Sequence, residues 1–203
     1  MDWAVTARLL RIGVPIGLTI VAEAGMFIAV TFLIGLFGTA ALAAAAIANQ
    51  IAAVTFMIPI AIAQASTVRV GNFAGAADRA NLSRSAGATF WIGIAATAAT
   101  MAILLIWPEF LIGLFQIPDG VQAIAMSVLR GVNDTRIPAI VAITSFWISG
   151  VAVGALAGFS LGFGPTGVWG GLLLGLSVAS LILTMRMMRA MRRIRDGGRI
   201  LLA

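Results

Sequence analysis

The chain has 203 residues, 61% of them hydrophobic and only 10% charged, with a mean hydropathy of +1.09 and a formal net charge of +6. Soluble globular chains carry about 25% charged residues, so this composition points to a membrane. Cysteine, histidine, lysine and tyrosine are absent, which removes disulfides, thiolate and imidazole metal sites, a Schiff-base lysine and most general bases. Along the chain, residues 1–11 carry Arg8 and Arg11 but do not read as a signal peptide. The apolar stretch that follows is too long for one and has no evident cleavage site. Six apolar spans come next, at about 12–37, 41–67, 86–107, 110–129, 138–159 and 166–187. Each is near the roughly 20 residues a helix needs to cross a bilayer. A basic tail, 188–203, closes the chain.

Glu23 lies in the middle of the first span. A carboxylate at that depth costs on the order of 3 kcal/mol, and such residues face a bundle interior or a watery cavity. There it can bind a cation or carry a proton; the plainer role is an acid satisfied by a neighbouring helix. The second span opens on an alanine-rich run, 40–46, and contains Asn49, Gln50 and Pro59. The two amides can lend oxygens to a cation or simply hydrogen-bond between helices. The fourth span is the least apolar, interrupted by Pro118 and Asp119. Its twenty residues cover about 30 Å at about 1.5 Å each, which is enough to cross and puts Asp119 near mid-membrane.

The arginines support the count. Arg8 and Arg11 precede span one; Arg69, Arg79 and Arg84 separate spans two and three; Arg130 and Arg136 separate four and five. Arg186, Arg189, Arg192, Arg193, Arg195 and Arg199 close or follow span six. The connections at 38–40, 107–109 and 160–165 hold none. Every second connection is basic, as the positive-inside rule requires when both termini are cytoplasmic. Topology therefore accounts for the positive charge better than nucleic-acid binding does. The tail reads as an anchor, with binding to anionic lipid as the other use of its charge. Small residues four apart recur at Gly13/Gly17, Gly150/Gly154/Gly158 and Gly171/Gly175, which reads as helix packing. Trp3, Trp91, Trp107 and Trp169 lie near span ends, and Trp147 lies inside span five, packed or lining a cavity. The nearest approach to a nucleophile elbow, Gly175-Leu176-Ser177-Val178-Ala179, lacks the final glycine, so no enzyme chemistry is expected.

Three stretches carry a resemblance: ALAAAAIANQIAAVTFMIPIAIAQASTVRVGNFAGAAD at 41–78, DGVQAIAMSVLRGVNDTRIPAI at 119–140 and GPTGVWGGLLLGL at 164–176. They resemble the multidrug and toxic compound extrusion (MATE) family, in its bacterial sodium- or proton-coupled branch. The resemblance is to the C-terminal six-helix lobe of a twelve-helix transporter, shortened by roughly 20–30 residues near Phe115–Gln116, comparable to one membrane crossing. Ala45 stands where many relatives have histidine. It implies an all-α integral membrane fold and a cation site lined by Glu23 and Asp119, with a sodium ion or proton as coupling ion and no cofactor or transition metal. It implies lipophilic cationic substrates, alternating access in a bacterial inner membrane, and a need for an N-terminal lobe or a second copy. Two carboxylates can hold one sodium ion, or their repulsion and burial can make one of them take a proton. Three other readings are open: a lipid-linked sugar flippase, a non-transporting membrane subunit, and a gene remnant. The flippase is expected to line its cavity with more positive charge, whereas the arginines here are assigned to loops.

Overall fold

The computed structural model describes residues 3–105 and 110–198, without the side chains of residues 8, 103–105 and 110–114. The connection expected at 107–109, including Trp107, and Arg199 in the tail lie outside the described residues. Six helices follow one another: α1 (Trp3–Gly35), α2 (Thr39–Gly75), α3 (Arg79–Leu105), α4 (Phe110–Gly131), α5 (Arg136–Ser160) and α6 (Gly164–Arg195). There is no strand among the described residues. Helix continues into both terminal segments, since α1 starts at Trp3 and α6 runs to Arg195. Helix α4 passes through Phe115 and Gln116 without a break.

The turns explain how the chain reverses. At the end that carries the arginines, α2 and α4 close in the same way. The N–H of Asp78 donates to the Phe73 carbonyl at 3.0 Å, and the N–H of Asp134 to that of Leu129 at 2.9 Å. The residue before each aspartate is left-handed, Ala77 at φ 55° and Asn133 at φ 66°. This is the Schellman closure, which satisfies carbonyls the helix end would otherwise leave bare. Asp78 then caps α3, accepting the Asn81 N–H at 3.1 Å and the Asn81 Nδ2 at 2.7 Å. Those hydrogen bonds hold its carboxyl below the ordinary carboxylate pKa. Asp134 instead accepts from Arg186 Nε at 2.8 Å and ties the α4–α5 turn to α6. At the opposite end Phe37 stacks on Phe159, with centroids 4.6 Å apart, and Phe115 tilts against Trp169 at 5.1 Å.

Among the residues whose side chains are described, α1, α2, α3, α5 and α6 are long and apolar enough to span a membrane. Helix α4 is covered by its neighbours. It packs against α2, α3 and α6, and Ile124, Ala125, Val128 and Leu129 are fully buried. A helix surrounded by protein does not need a lipid-facing apolar surface, so it tolerates Gln116, Asp119 and Gln122, all buried. The outward faces of the other helices present Phe32, Val54, Met57, Trp91, Ile148 and Leu181. So much exposed apolar surface is what a bilayer covers.

Helices α5 and α6 meet along a seam of glycines. A Cβ on Gly171 would lie 2.2 Å from Gly154 Cα, and one on Gly175 would lie 2.7 Å from Gly150 Cα. Only glycine allows backbones this close. The seam lies where α5 widens into π-helical turns at Ser145–Ala152 and Leu156–Ser160. The Gly13/Gly17 pair is different, since a Cβ at either would meet nothing within 4 Å. Trp147 is partly exposed, and its ring edge comes to 3.3 Å from where a Gly25 Cβ would stand, so it lies against α1.

Candidate functional site

A cavity of about 540 Å³ opens between α1, α2 and α4. Its polar lining comes from Glu23 of α1, Asn49, Gln64 and Thr67 of α2, and Asp119, Gln122, Ser127 and Arg130 of α4. Phe27, Phe56, Ile60 and Met126 supply apolar wall. Helical spacing delivers these side chains to one place. On α4, Gln116, Asp119 and Gln122 recur every third residue and share a face, and Met126 and Arg130 continue it. On α2, Asn49, Ala53, Phe56, Ile60, Ala63 and Thr67 do the same.

Both acids singled out in the sequence reach this cavity. Glu23 is partly buried. Asp119 is only 8% exposed, and its Oδ1 has no hydrogen-bond partner among the described residues. The same is true of the buried Oε1 atoms of Gln116 and Gln122. Unpaired acceptors this deep are unusual and costly, because most buried polar atoms find partners. Their oxygens are the donor type that a hard cation takes. Among the described residues no cluster of three or more acids offers a denser metal site.

The amides separate. Asn49 lines the cavity and its Nδ2 donates to Thr31 Oγ1 of α1 at 2.9 Å, so it bridges two helices. Gln50 is exposed and is not part of the lining. One residue further along a helix turns about 100°, which carries it off the face. Beside the cavity, Gln116 Nε2 bonds Thr55 Oγ1 and the Ala52 carbonyl, linking α4 to α2 one turn before Pro59. Thr67 Oγ1 donates to the Ser127 carbonyl at 3.2 Å and closes the cavity near the basic end.

The expectation that the arginines sit in loops is corrected: all twelve described ones, from Arg8 to Arg195, lie within helices, and the one that reaches the cavity is Arg130. It occupies the last turn of α4, lines the cavity and lies close enough to Glu23 for their charges to interact. Packing beside it is tight: a Cβ on Gly131 would lie 2.8 Å from Val70 Cβ. The cavity therefore holds two carboxylates and one guanidinium. Gln64, Gln122 and Arg130 were not singled out from sequence. The three-residue recurrence of Gln116, Asp119 and Gln122 on α4 is the signal that could have found Gln122.

Comparison with known proteins agrees with this architecture. The MatE family model matches residues 15–132. The chain is 38% identical to a probable multidrug resistance protein NorM of Agrobacterium fabrum over 217 residues, which cover 95% of this chain and 47% of the relative. It is also 38% identical to the corresponding protein of Xanthomonas axonopodis pv. citri, covering 95% of this chain and 46% of that one. The first match is longer than the whole 203-residue chain, so that relative has residues this chain lacks. In fold, a MATE transporter in the bent conformation superposes with a TM-score of 0.86 at 16% identity, covering 97% of this chain and 48% of that one. A eukaryotic MATE transporter gives 0.81 at 20% identity, with 94% and 49% covered. The chain thus spans about half the length of the relatives it matches. A six-helix membrane lobe, matched by the family model over more than half its length, belongs to the MatE family of transporters.

Proposed function

We propose that this chain is the C-terminal lobe of a cation-coupled multidrug efflux antiporter, with Glu23 and Asp119 as the coupling acids. The observation that carries the reading is their meeting in one cavity from different helices, one of them buried with an unpartnered oxygen. A sodium ion, or a proton on one carboxylate, supplies the positive charge this oxygen set lacks. Gln122 and Asn49 line the same cavity and can complete oxygen coordination. Arg130 is the alternative cation: tethered in the cavity, it can face Glu23 when the coupling ion has left. Efflux then follows from differential affinity. The cation favours one facing of the transporter, the substrate the other, and exchange requires that difference. The substrate is a lipophilic cation bound between two lobes, in an inner membrane with both termini cytoplasmic. One lobe lacks the second wall of that cavity, so the chain alone binds the cation but does not transport. Arg130 adds positive charge to the cavity, yet one arginine facing two acids does not make the basic lining that a lipid-linked sugar flippase calls for.

The test has two parts. Purified chain in detergent should retain radioactive sodium, or release a proton on alkaline shift, and Glu23→Gln should abolish this while folding normally. In liposomes with an imposed sodium or proton gradient, the chain alone should not move a fluorescent cationic dye. Supplying a relative's N-terminal six-helix lobe should restore movement, again lost in Glu23→Gln. Wild-type cation binding by Glu23→Gln would remove the site. Gradient-driven dye movement by the chain alone would make it a half-size transporter that works without a distinct partner.

A further inference from the structure

A second cavity, of about 670 Å³, lies on the other side of the bundle between α5 and α6, at the basic end. It shares no residue with the cavity that holds Glu23. Its deeper wall is apolar, built from Ile137 and Val141 of α5 and Ile182 and Met185 of α6. Its rim carries Arg186, Arg189 and Arg193, which follow Ile182 along one face of α6 at intervals of three and four residues. Two acids also border it. Asp134 is already bound by Arg186 Nε at 2.8 Å, and Asp196 lies 3.9 Å from Arg195 Nε. Arg189 and Arg193 have no acidic partner among the described residues. From Ile182 to Arg193 the helix rises about 16 Å, the reach of a phosphate headgroup with its glycerol and first acyl carbons.

We propose that this groove holds one anionic phospholipid, with its phosphodiester on Arg189 and Arg193 and an acyl chain along Ile182, Met185 and Val141. Charge and depth agree: guanidinium pairs match phosphate oxygens, and the apolar wall lies deeper than the basic rim. Basic pockets between membrane helices are where such headgroups bind. The Arg186–Asp134 pair organises the site by joining α6 to the α4–α5 turn, so a bound lipid would brace the basic ends of three helices. This inference is independent of any coupling role for Glu23.

The experiment is lipid retention by the full chain. The chain is reconstituted in nanodiscs of equal phosphatidylglycerol and phosphatidylcholine, then released into detergent and weighed by native mass spectrometry. The expected result is one phosphatidylglycerol retained in preference to phosphatidylcholine. R189Q/R193Q should weaken retention about tenfold. R192Q/R195Q removes the same charge from residues outside the groove and should leave retention unchanged. Equal loss in both double variants would mean diffuse attraction and would overturn the proposal, as would no preference in wild type. Should R189Q/R193Q not fold, competition on the wild-type chain decides. Glycerophosphoglycerol, the headgroup without acyl chains, should displace the lipid poorly. Displacement as effective as by intact phosphatidylglycerol would show that the apolar wall contributes nothing and would overturn the lipid reading.

Discussion

The α5–α6 seam and the α1–α2–α4 cavity sit in one bundle and answer opposite demands. At the seam the helices touch backbone to backbone, Gly171 against Gly154 and Gly175 against Gly150, with no room for a methyl group. At the cavity the helices stand apart, and the space between them exposes carboxylates, amides and a guanidinium to one another. Lipid gives helices little hydrophobic reason to associate, so close packing has to hold the lobe together. The seam and the buried core of α4 do that. The cavity gives up packing and leaves Asp119 Oδ1 and Gln122 Oε1 unpaired. Natural proteins break packing rules of this kind where function needs it.

The largest expected effect breaks the seam. Gly171→Ala would place its Cβ 2.2 Å from Gly154 Cα and 2.7 Å from the Gly150 carbonyl oxygen, both backbone atoms that cannot swing aside. Overpacking of this kind costs about 3 kcal/mol. Denaturation of the purified chain in detergent should show that loss. Gly17→Ala, with nothing within 4 Å, should leave the lobe's stability unchanged. A neutral Gly171→Ala would mean that α5 and α6 are not in backbone contact. An unstable Gly17→Ala would mean that the α1 face is already covered by another part of the chain.

The cavity should respond in the reverse direction. Asp119→Asn keeps the shape, removes a buried charge with an unpartnered oxygen, and should raise stability by about 2 kcal/mol without coupling ion. Saturating sodium at 100 times its Kd should then stabilise the wild type by about 2.7 kcal/mol and Asp119→Asn hardly at all. The measurement is thermal unfolding of both proteins with and without sodium at constant ionic strength. Destabilisation by Asp119→Asn in the ion-free state would show that the carboxylate is satisfied, which would remove the contrast between the two regions.

Much of this was legible in the sequence, and the parts that were not share a cause. Helix count, the basic end and Glu23 follow from hydropathy, arginine alternation and the cost of a charge in lipid. Helix α4 was read as the weakest span because hydropathy measures fitness for lipid, whereas α4 is covered by α2, α3 and α6. Its polar stripe marked burial in protein. Arg130 was placed in a loop because an arginine near a span end satisfies topology wherever its side chain turns; in the structure it lines the cavity from the last turn of α4. The glycine pairs look alike in sequence. One set forms a seam and the other faces open space, a difference that depends on which helix is opposite. Asn49 and Gln50 are adjacent, and the helix turn alone decides that the first lines the cavity and the second does not.

The smallest effects belong to the turns that border neither region, and they set the scale against which the other two are judged. Ala77 and Asn133 occupy equivalent left-handed positions, at φ 55° and 66°, each followed by an aspartate. Asparagine tolerates that conformation, whereas alanine strains its Cβ there. Ala77→Gly should therefore stabilise the chain by about 0.5–1 kcal/mol, after the added freedom of glycine in the unfolded state is set against the relief. Asn133→Gly should change it by no more than a few tenths. Asp78, next in the chain, adds a pH signature. Its hydrogen bonds to Asn81 lower its folded pKa below the ordinary 3.8, so its stabilisation is full above that value and lost as the pH falls through the lowered one. Asp78→Asn should remove this acid-side component and leave the Asp134–Arg186 tie intact. Acid titrations of unfolding for wild type, Ala77→Gly and Asp78→Asn separate the two contributions. If Ala77→Gly proved neutral while Asp78→Asn flattened the acid limb, the cap on α3 rather than relief of the left-handed alanine would dominate this turn.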